Sequence, residues 1–88
     1  MSEAAVKLVY FAWVRERIGV PEEDVTLPES LSTVSDLLTW LKGRGENYEA
    51  ALLYPEVIRV AIDHEHADHS EKLGSPREIG LFPPMTGG

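Results

Sequence analysis

Cysteine is absent from this chain of 88 residues. Disulfides, thiolate metal sites and cysteine nucleophiles are therefore excluded, and any sulfur chemistry must use sulfur that is not the protein's own. Long apolar runs are also missing, since no stretch approaches the length of a membrane-spanning helix. Residues 1–5 lack the basic and apolar regions of a signal peptide. We therefore expect a cytoplasmic protein with no membrane segment.

Basic side chains are few, because 8 lysines and arginines stand against 15 aspartates and glutamates, a net charge of −7. Nucleic-acid binding requires a basic footprint, so this balance argues against nucleic acid as a partner. An acidic surface suits docking on basic proteins, where charge raises the rate of encounter more than the affinity. Solubility alone would also explain the charge.

The apolar pattern is that of one small domain with a single core. Residues 6–12 are rich in strand-forming side chains, and alternation places Lys7, Val9 and Phe11 on the outward face. Residues 33–42 carry an apolar stripe at helical spacing, and Thr33 can cap that helix with Asp36 three residues on. The other predicted elements are a short helix over 13–18, strands over 22–27, 57–63, 67–69 and 78–82, and a weaker helix over 46–53.

This order predicts an α+β fold, a mixed sheet with one main helix packed on one face and a short helix after the first strand. The domain is expected to span residues 1–82. Alternation in the last strand turns Ile79 and Leu81 one way and Phe82 the other. If the first and last strands are neighbours, Phe11 and Phe82 form one outward apolar patch.

An extended tail over residues 83–88 follows the last strand. Pro83 and Pro84 stop the strand because proline has no N–H for a sheet ladder. Gly87 and Gly88 cap no helix and close no turn, and they carry a high entropic cost of ordering. Their useful property is narrowness, which lets a chain end enter a tight channel in a second protein. The sequence therefore suggests that Gly88 is the reactive group, although a frayed end is the alternative.

Two stretches make the pattern more specific. Residues 10–16, Tyr-Phe-Ala-Trp-Val-Arg-Glu, resemble the start of the small subunits of molybdopterin synthase, which are ubiquitin-like β-grasp proteins. Residues 81–88, Leu-Phe-Pro-Pro-Met-Thr-Gly-Gly, are similar to the Phe-Pro-Pro-Val-Thr-Gly-Gly end of that family, with Met85 in place of valine. The resemblance covers essentially the whole chain in length and element order.

The resemblance implies a sulfur carrier of molybdenum cofactor biosynthesis. In that family an E1-like activating enzyme uses ATP to adenylate the terminal glycine, and a sulfur donor then converts it to a thiocarboxylate. The charged carrier delivers sulfur to a cyclic pyranopterin in the large subunit, within a heterotetramer of two plus two subunits. The carrier itself is not catalytic and binds no cofactor or metal. The implied sulfur-bearing site is Gly88 with its neighbour Gly87, and the implied partner contacts are Phe11, Arg15, Phe82, Pro83, Pro84, Met85 and Thr86.

Some features leave alternatives open. The family often has an Asp-Gly-Asp-Glu turn where this chain has residues 75–78, Ser-Pro-Arg-Glu. Three nearby histidines, His64, His66 and His69, favour a solvated loop over a metal site, since no rigid helical pair is evident. The run over residues 22–24 is expected to be solvated, and Arg15 suits an intramolecular ion pair as well as a partner. Rival functions are a sulfur carrier for thiamin thiazole or tRNA thiolation, a ubiquitin-like protein modifier, and an interaction domain with an inert tail.

Overall fold

The fold is a five-stranded mixed sheet with helices against one face, and a computed structural model describes residues 5–84 of it. Across the sheet the strand order is β2-β1-β5-β3-β4. The strands are β1 Ala5–Tyr10, β2 Glu22–Thr26, β3 Arg59–Ile62, β4 Glu65–Ala67 and β5 Glu78–Phe82, and the helices are α1 Ala12–Ile18, α2 Val34–Lys42 and α3 Glu46–Ala51.

The first and last strands are neighbours at the centre of the sheet. β1 pairs with β5 in parallel, with Tyr10 opposite Leu81, and β2 and β3 flank this pair as antiparallel strands. A parallel pair requires a long crossover, and the chain between β1 and β5 supplies it with the helices. This is the arrangement expected of a ubiquitin-like β-grasp domain, so the predicted fold class is confirmed.

The main helix α2 follows directly from its local sequence. Thr33 is its N-cap and forms a capping box, in which the Thr33 hydroxyl accepts from the backbone N–H of Asp36 at 3.2 Å. The Asp36 carboxylate accepts in return from the backbone N–H of Thr33, also at 3.2 Å. The apolar stripe of α2 is fully buried, as predicted, through Val34, Leu37, Leu38 and Leu41.

The core lies between α2 and the inward face of the sheet. Leu8, Val60, Ile79 and Leu81 are completely buried, and Tyr10 is 1% exposed. The alternation predicted for β1 and β5 is therefore correct, because inward residues are buried while Lys7 and Phe11 are exposed. Among residues 5–84, no helix is long and apolar enough to cross a bilayer.

Several predicted element boundaries are wrong. β1 ends at Tyr10 rather than at 12, because Ala12 already belongs to α1, and α3 ends at Ala51 rather than at 53. Val57 belongs to a 3₁₀ turn, Pro55–Val57, because proline fixes φ at the first position of that turn, and the strand begins only at Arg59. The short strand lies at Glu65–Ala67 rather than at 67–69. Asp63 and His64 have positive φ values of 49° and 74° and form a tight two-residue loop. β4 therefore begins immediately after them, at Glu65.

Candidate partner-binding site

The rings of Phe11 and Phe82 stack on the outward face of the sheet. Their centroids lie 4.3 Å apart with 2° between the ring planes. The parallel register of β1 and β5 causes this, because the backbone N–H of Phe11 donates to the carbonyl of Leu81 at 3.1 Å. Phe11 is 38% exposed and Phe82 is half-buried. The structure therefore places the two predicted aromatic residues in one apolar patch, directly before the tail.

Gly80 lies beneath the two rings and was not identified from the sequence. A Cβ atom at this position would lie 3.1 Å from Cε1 of Phe82 and 3.3 Å from Cε2 of Phe11. These distances are shorter than ordinary van der Waals contact, so any larger residue would displace the rings. The available sequence signal was a glycine at an outward position of a strand, which often marks a close approach.

Ala12 turns the chain sharply between β1 and α1. Its φ of 52° is in the left-handed region, which is uncommon for a residue with a side chain. The turn leaves the Phe11 carbonyl accepting from the N–H of Val14 at 3.1 Å, so α1 begins immediately beside the aromatic pair. Arg15 is exposed on this helix. The intramolecular ion pair considered for it is not among the salt bridges of residues 5–84, and its exposed side chain lines a shallow groove with Val20 and Pro21.

Beyond the aromatic pair the chain leaves the sheet at Pro83 and Pro84, both half-buried. Pro84 lines an open groove of about 410 Å³ together with Arg59, His66 and His69. The remaining predicted tail residues, Met85, Thr86, Gly87 and Gly88, lie outside the described residues. The structure therefore locates the start of the tail, at the carboxyl end of β5.

The three histidines of the polar segment do not converge. His64 and His66 are exposed, while His69 is half-buried with Nε2 2.7 Å from the carbonyl oxygen of Ile58. His64 lies 3.9 Å from the carboxylate of Glu78. No group of three metal-ligating side chains occurs within residues 5–84. His69 thus ties the segment after β4 to the start of β3, which the solvated-loop prediction missed.

Glu23 is the other correction to the sequence analysis, which expected it to be solvated. One oxygen of its carboxylate, Oε2, accepts from the hydroxyls of Tyr10 at 2.6 Å and Tyr48 at 2.7 Å, and from Arg44 at 3.3 Å. Partial burial acts to raise the pKa of Glu23, but these hydrogen bonds and the Arg44 charge outweigh it, so the pKa lies below its ordinary 4.5. Burial and the adjacent carboxylate raise the pKa of Tyr10 far above its ordinary value. The cluster joins β1, β2 and α3 through one carboxylate.

The chain matches the model of the ThiS family over residues 8–88. Two relatives named molybdopterin synthase sulfur carrier subunit are similar along almost the whole chain. The one from Caenorhabditis elegans is 29% identical and covers 96% of this chain and 98% of its own length, and the one from Dictyostelium discoideum is 33% identical with 93% and 94% covered.

Solved structures share the fold. Molybdopterin converting factor subunit 1 from Pyrococcus furiosus superposes with a TM-score of 0.71 at 27% identity, covering 93% of this chain and 99% of that one. Small archaeal modifier protein 1 from Haloferax volcanii superposes with a TM-score of 0.68 at 26% identity, with the same shares covered. A family match over nearly all residues, on the β-grasp topology described above, identifies the chain as a member of the ThiS family.

Proposed function

We propose that this protein is the sulfur carrier subunit of molybdopterin synthase. The observation that carries the proposal is the Phe11–Phe82 pair, an exposed aromatic patch at the point where β5 leads into the tail. The names of the relatives and the family match through residue 88 support the same function. In this proposal residues 5–82 serve as a handle, and the chemistry takes place at Gly88.

The reaction begins with activation of the Gly88 carboxylate. A carboxylate is a poor acyl electrophile because its negative charge opposes nucleophilic attack. An E1-like enzyme joins the carboxylate to the AMP part of ATP and releases pyrophosphate. A sulfur donor at the oxidation level of sulfide then attacks the acyl carbon and AMP departs, which leaves a thiocarboxylate without any change of oxidation state. Gly87 keeps the approach narrow, and no acid, base or bound cofactor is required from this chain.

The acceptor is a cyclic pyranopterin held by the large subunit of molybdopterin synthase, in a heterotetramer of two carriers and two large subunits. In this assembly Phe11 and Phe82 anchor the carrier, because aromatic side chains at the centre of an interface contribute most to affinity. Arg15 contacts the large subunit beside them. Residues 83–86 contact the large subunit on the way to its active site, and Pro83 and Pro84 restrict the backbone at the start of that path because proline fixes its own φ. Two sulfur deliveries build the dithiolene, and the expected location is the cytoplasm.

The experiment that tests this function is the intact mass of the protein after incubation with ATP, a sulfur donor and the activating enzyme. Fragmentation should place one sulfur in place of one oxygen at Gly88. The thiocarboxylated protein should then restore dithiolene formation by the isolated large subunit. An unchanged mass, with an enzyme that is active on another carrier, would reject the proposal.

A variant with one alanine added after Gly88 is the matched control. It should keep the stability of the wild type, since the change lies beyond the strand that ends at Phe82. Sulfur transfer should be abolished, because the terminal carboxyl group then belongs to the added alanine, whose methyl group widens the end of the chain. Normal transfer by the extended protein would contradict the mechanism.

A protein modifier is the second candidate, and the similarity to small archaeal modifier protein 1 favours it. An activated Gly88 would then form isopeptide bonds with lysine side chains of other proteins. The distinguishing observation is a set of higher-mass conjugates in a cell lysate that disappear when Gly88 is deleted. The two functions share activation, so conjugates would add a role and would not by themselves exclude sulfur transfer.

A further inference from the structure

A second exposed apolar surface lies between α1 and the loop that follows α3. We call it the helical patch, and it consists of Trp13, Arg17, Leu53, Tyr54 and Val57. Leu53 is 51% exposed, Tyr54 63% and Val57 41%. Together with Ala50 and Ala51, the five residues line a cavity of about 140 Å³. Single exposed apolar residues need no explanation, but a contiguous group around a cavity is typical of an interaction site.

The loop that carries this patch is held in place from both sides. Ala51 and Leu52 before it are 2% and 0% exposed, and Ile58 after it is 1% exposed. The N–H of Val57 also donates to the carbonyl of Tyr54 at 3.1 Å, which closes the 3₁₀ turn. The large side chains between these anchors are thus presented to solvent on an ordered backbone, which reduces the entropy lost when a partner binds.

Arg17 gives the patch a positive charge on a protein whose net charge is negative. The carbon at the centre of its guanidinium group lies 4.3 Å from the centroid of the Trp13 ring, a cation–π contact that orients the group. The salt bridges within residues 5–84 involve Lys7, Arg44 and His64 and leave Arg17 without a carboxylate. The patch therefore suits a partner that presents an apolar side chain next to an acidic one.

The helical patch is continuous with the start of the tail. Val57 lines both the cavity of the patch and the groove to which Pro84 contributes. A protein that receives the tail must approach this end of the molecule, where the Phe11–Phe82 pair also lies. A stable protein complex covers about 800 Å² and 20–30 residues of each partner. The contacts proposed so far are nine residues, Phe11, Arg15, Phe82 and residues 83–88, which are too few for such an interface, whereas the helical patch extends the surface in one direction.

We propose that the helical patch is a second docking site for the large subunit that accepts the sulfur, which places an apolar side chain in the cavity and a carboxylate against Arg17. This inference rests on the proposed function. The large subunit is favoured over the activating enzyme because the relatives are named as subunits of molybdopterin synthase, and subunits of one assembly are expected to share the larger contact area.

The test is calorimetric titration of the large subunit with the full-length carrier and its variants. We expect Leu53→Ser combined with Tyr54→Ser to weaken binding at least about tenfold, the effect of losing one interface hot spot. Arg17→Glu should weaken binding by a similar factor through charge repulsion. Val20→Ser and Lys72→Glu are matched controls, because both positions are exposed and lie outside the patch. They should remain within about twofold of the wild type.

Thiocarboxylate formation by the activating enzyme is measured on the same proteins. We expect all variants to be charged at Gly88 at the wild-type rate, which also shows that they are folded. Wild-type affinity of the Leu53/Tyr54 and Arg17 variants for the large subunit would overturn the docking proposal and leave the sulfur-carrier function intact. A wild-type protein that is neither charged nor bound would instead reject the function itself.

Discussion

At the scale of single residues, Gly80 determines whether the aromatic pair can form. Hydrogen is the only substituent that fits there, because an added methyl group would approach both rings within 3.3 Å. The stacking of Phe11 on Phe82 thus depends on the absence of a side chain at Gly80. A substitution at Gly80 would therefore disturb the stacking of the two rings while both phenylalanines are retained.

We predict that Gly80→Ala displaces the Phe11 and Phe82 rings and weakens docking on the large subunit about tenfold. The domain should lose only about 1 kcal/mol of stability, since the rings lie at the surface and can shift. Aromatic chemical shifts and titration calorimetry would measure the two effects. Gly43→Ala is the matched control, because its nearest neighbour would lie at 3.7 Å and its φ is an ordinary −85°. Unchanged docking by the Gly80 variant would show that ring stacking is not required.

The Glu23 cluster provides a prediction about pH. Burial opposes ionisation of Glu23, but the donors Tyr10, Tyr48 and Arg44 lower its pKa below 4.5 in the folded protein. The unfolded chain therefore binds this proton more readily, so the stabilisation is complete above 4.5 and is lost as the pH falls through the folded-state pKa. We expect Glu23→Gln to reduce stability at neutral pH and to flatten the loss of stability in acid.

Urea unfolding at neutral and acidic pH would test this expectation. Glu22→Gln is the matched control, because within residues 5–84 the Glu22 carboxylate pairs with the exposed Lys7 alone, at 3.6 Å. Its free energy of unfolding should stay within about 0.5 kcal/mol of the wild type. An acid profile of the Glu23 variant that runs parallel to the wild type would refute the assigned role.

At the scale of elements, the start of α2 depends on a small polar motif. The capping box satisfies backbone N–H groups that the first turn would leave without partners. We predict that Thr33→Ala lowers the free energy of unfolding by about 1 kcal/mol. Thr39→Ala, on the exposed face of the same helix, should be neutral or slightly stabilising. Equal losses for the two variants, measured in urea, would contradict a specific capping role.

At the scale of the whole molecule, the fold places the aromatic pair and the start of the tail at the same end. Parallel pairing of β1 with β5 brings Phe11 beside Phe82, and β5 then continues into Pro83. An enzyme that acts on Gly88 is therefore expected to approach the end of the molecule where the aromatic pair lies. The activating enzyme and the large subunit are thus expected to use overlapping surfaces.

We predict that the two partners compete for the carrier. The large subunit should displace the activating enzyme from labelled carrier in a fluorescence-anisotropy experiment, with no ternary complex in sedimentation. The same experiment on a carrier truncated after Phe82 shows whether the partners still compete when the tail is absent. Competition that persists must be for the surface of the folded domain. Simultaneous tight binding of both partners to one carrier would contradict the shared surface.

Much of the fold could be predicted because it is encoded in short-range patterns. The period of two in β1 and β5, the helical stripe of α2 and the Thr33 cap each involve residues a few positions apart. Two of the errors in the predicted boundaries lie at turns that strand propensity does not reveal. Pro55 begins a 3₁₀ turn where a strand was expected, and the two-residue loop at Asp63 and His64 makes β4 begin earlier in the chain than expected.

Sequence reasoning predicted those residues of the candidate site that share a strand face or belong to the tail motif. Phe11, Phe82 and the prolines were found because strand alternation and the tail sequence marked them. Gly80 was not predicted because it has no side chain of its own, and its role is to leave room for the rings of Phe11 and Phe82. The roles of the predicted tail and interface residues stay predictions until the binding and mass measurements are made.

The sequence by itself determined most of the elements, the buried faces of β1, α2 and β5, and the family, since each is carried by residues close together in the chain or by a continuous motif. Only the tertiary structure decided which side chains meet across long separations. Tyr10, Glu23 and Tyr48 converge on one carboxylate oxygen, and α1 and the loop after α3 enclose the helical patch. The physical reason is that such contacts depend on how the helices pack against the sheet and against one another, which no local periodicity specifies.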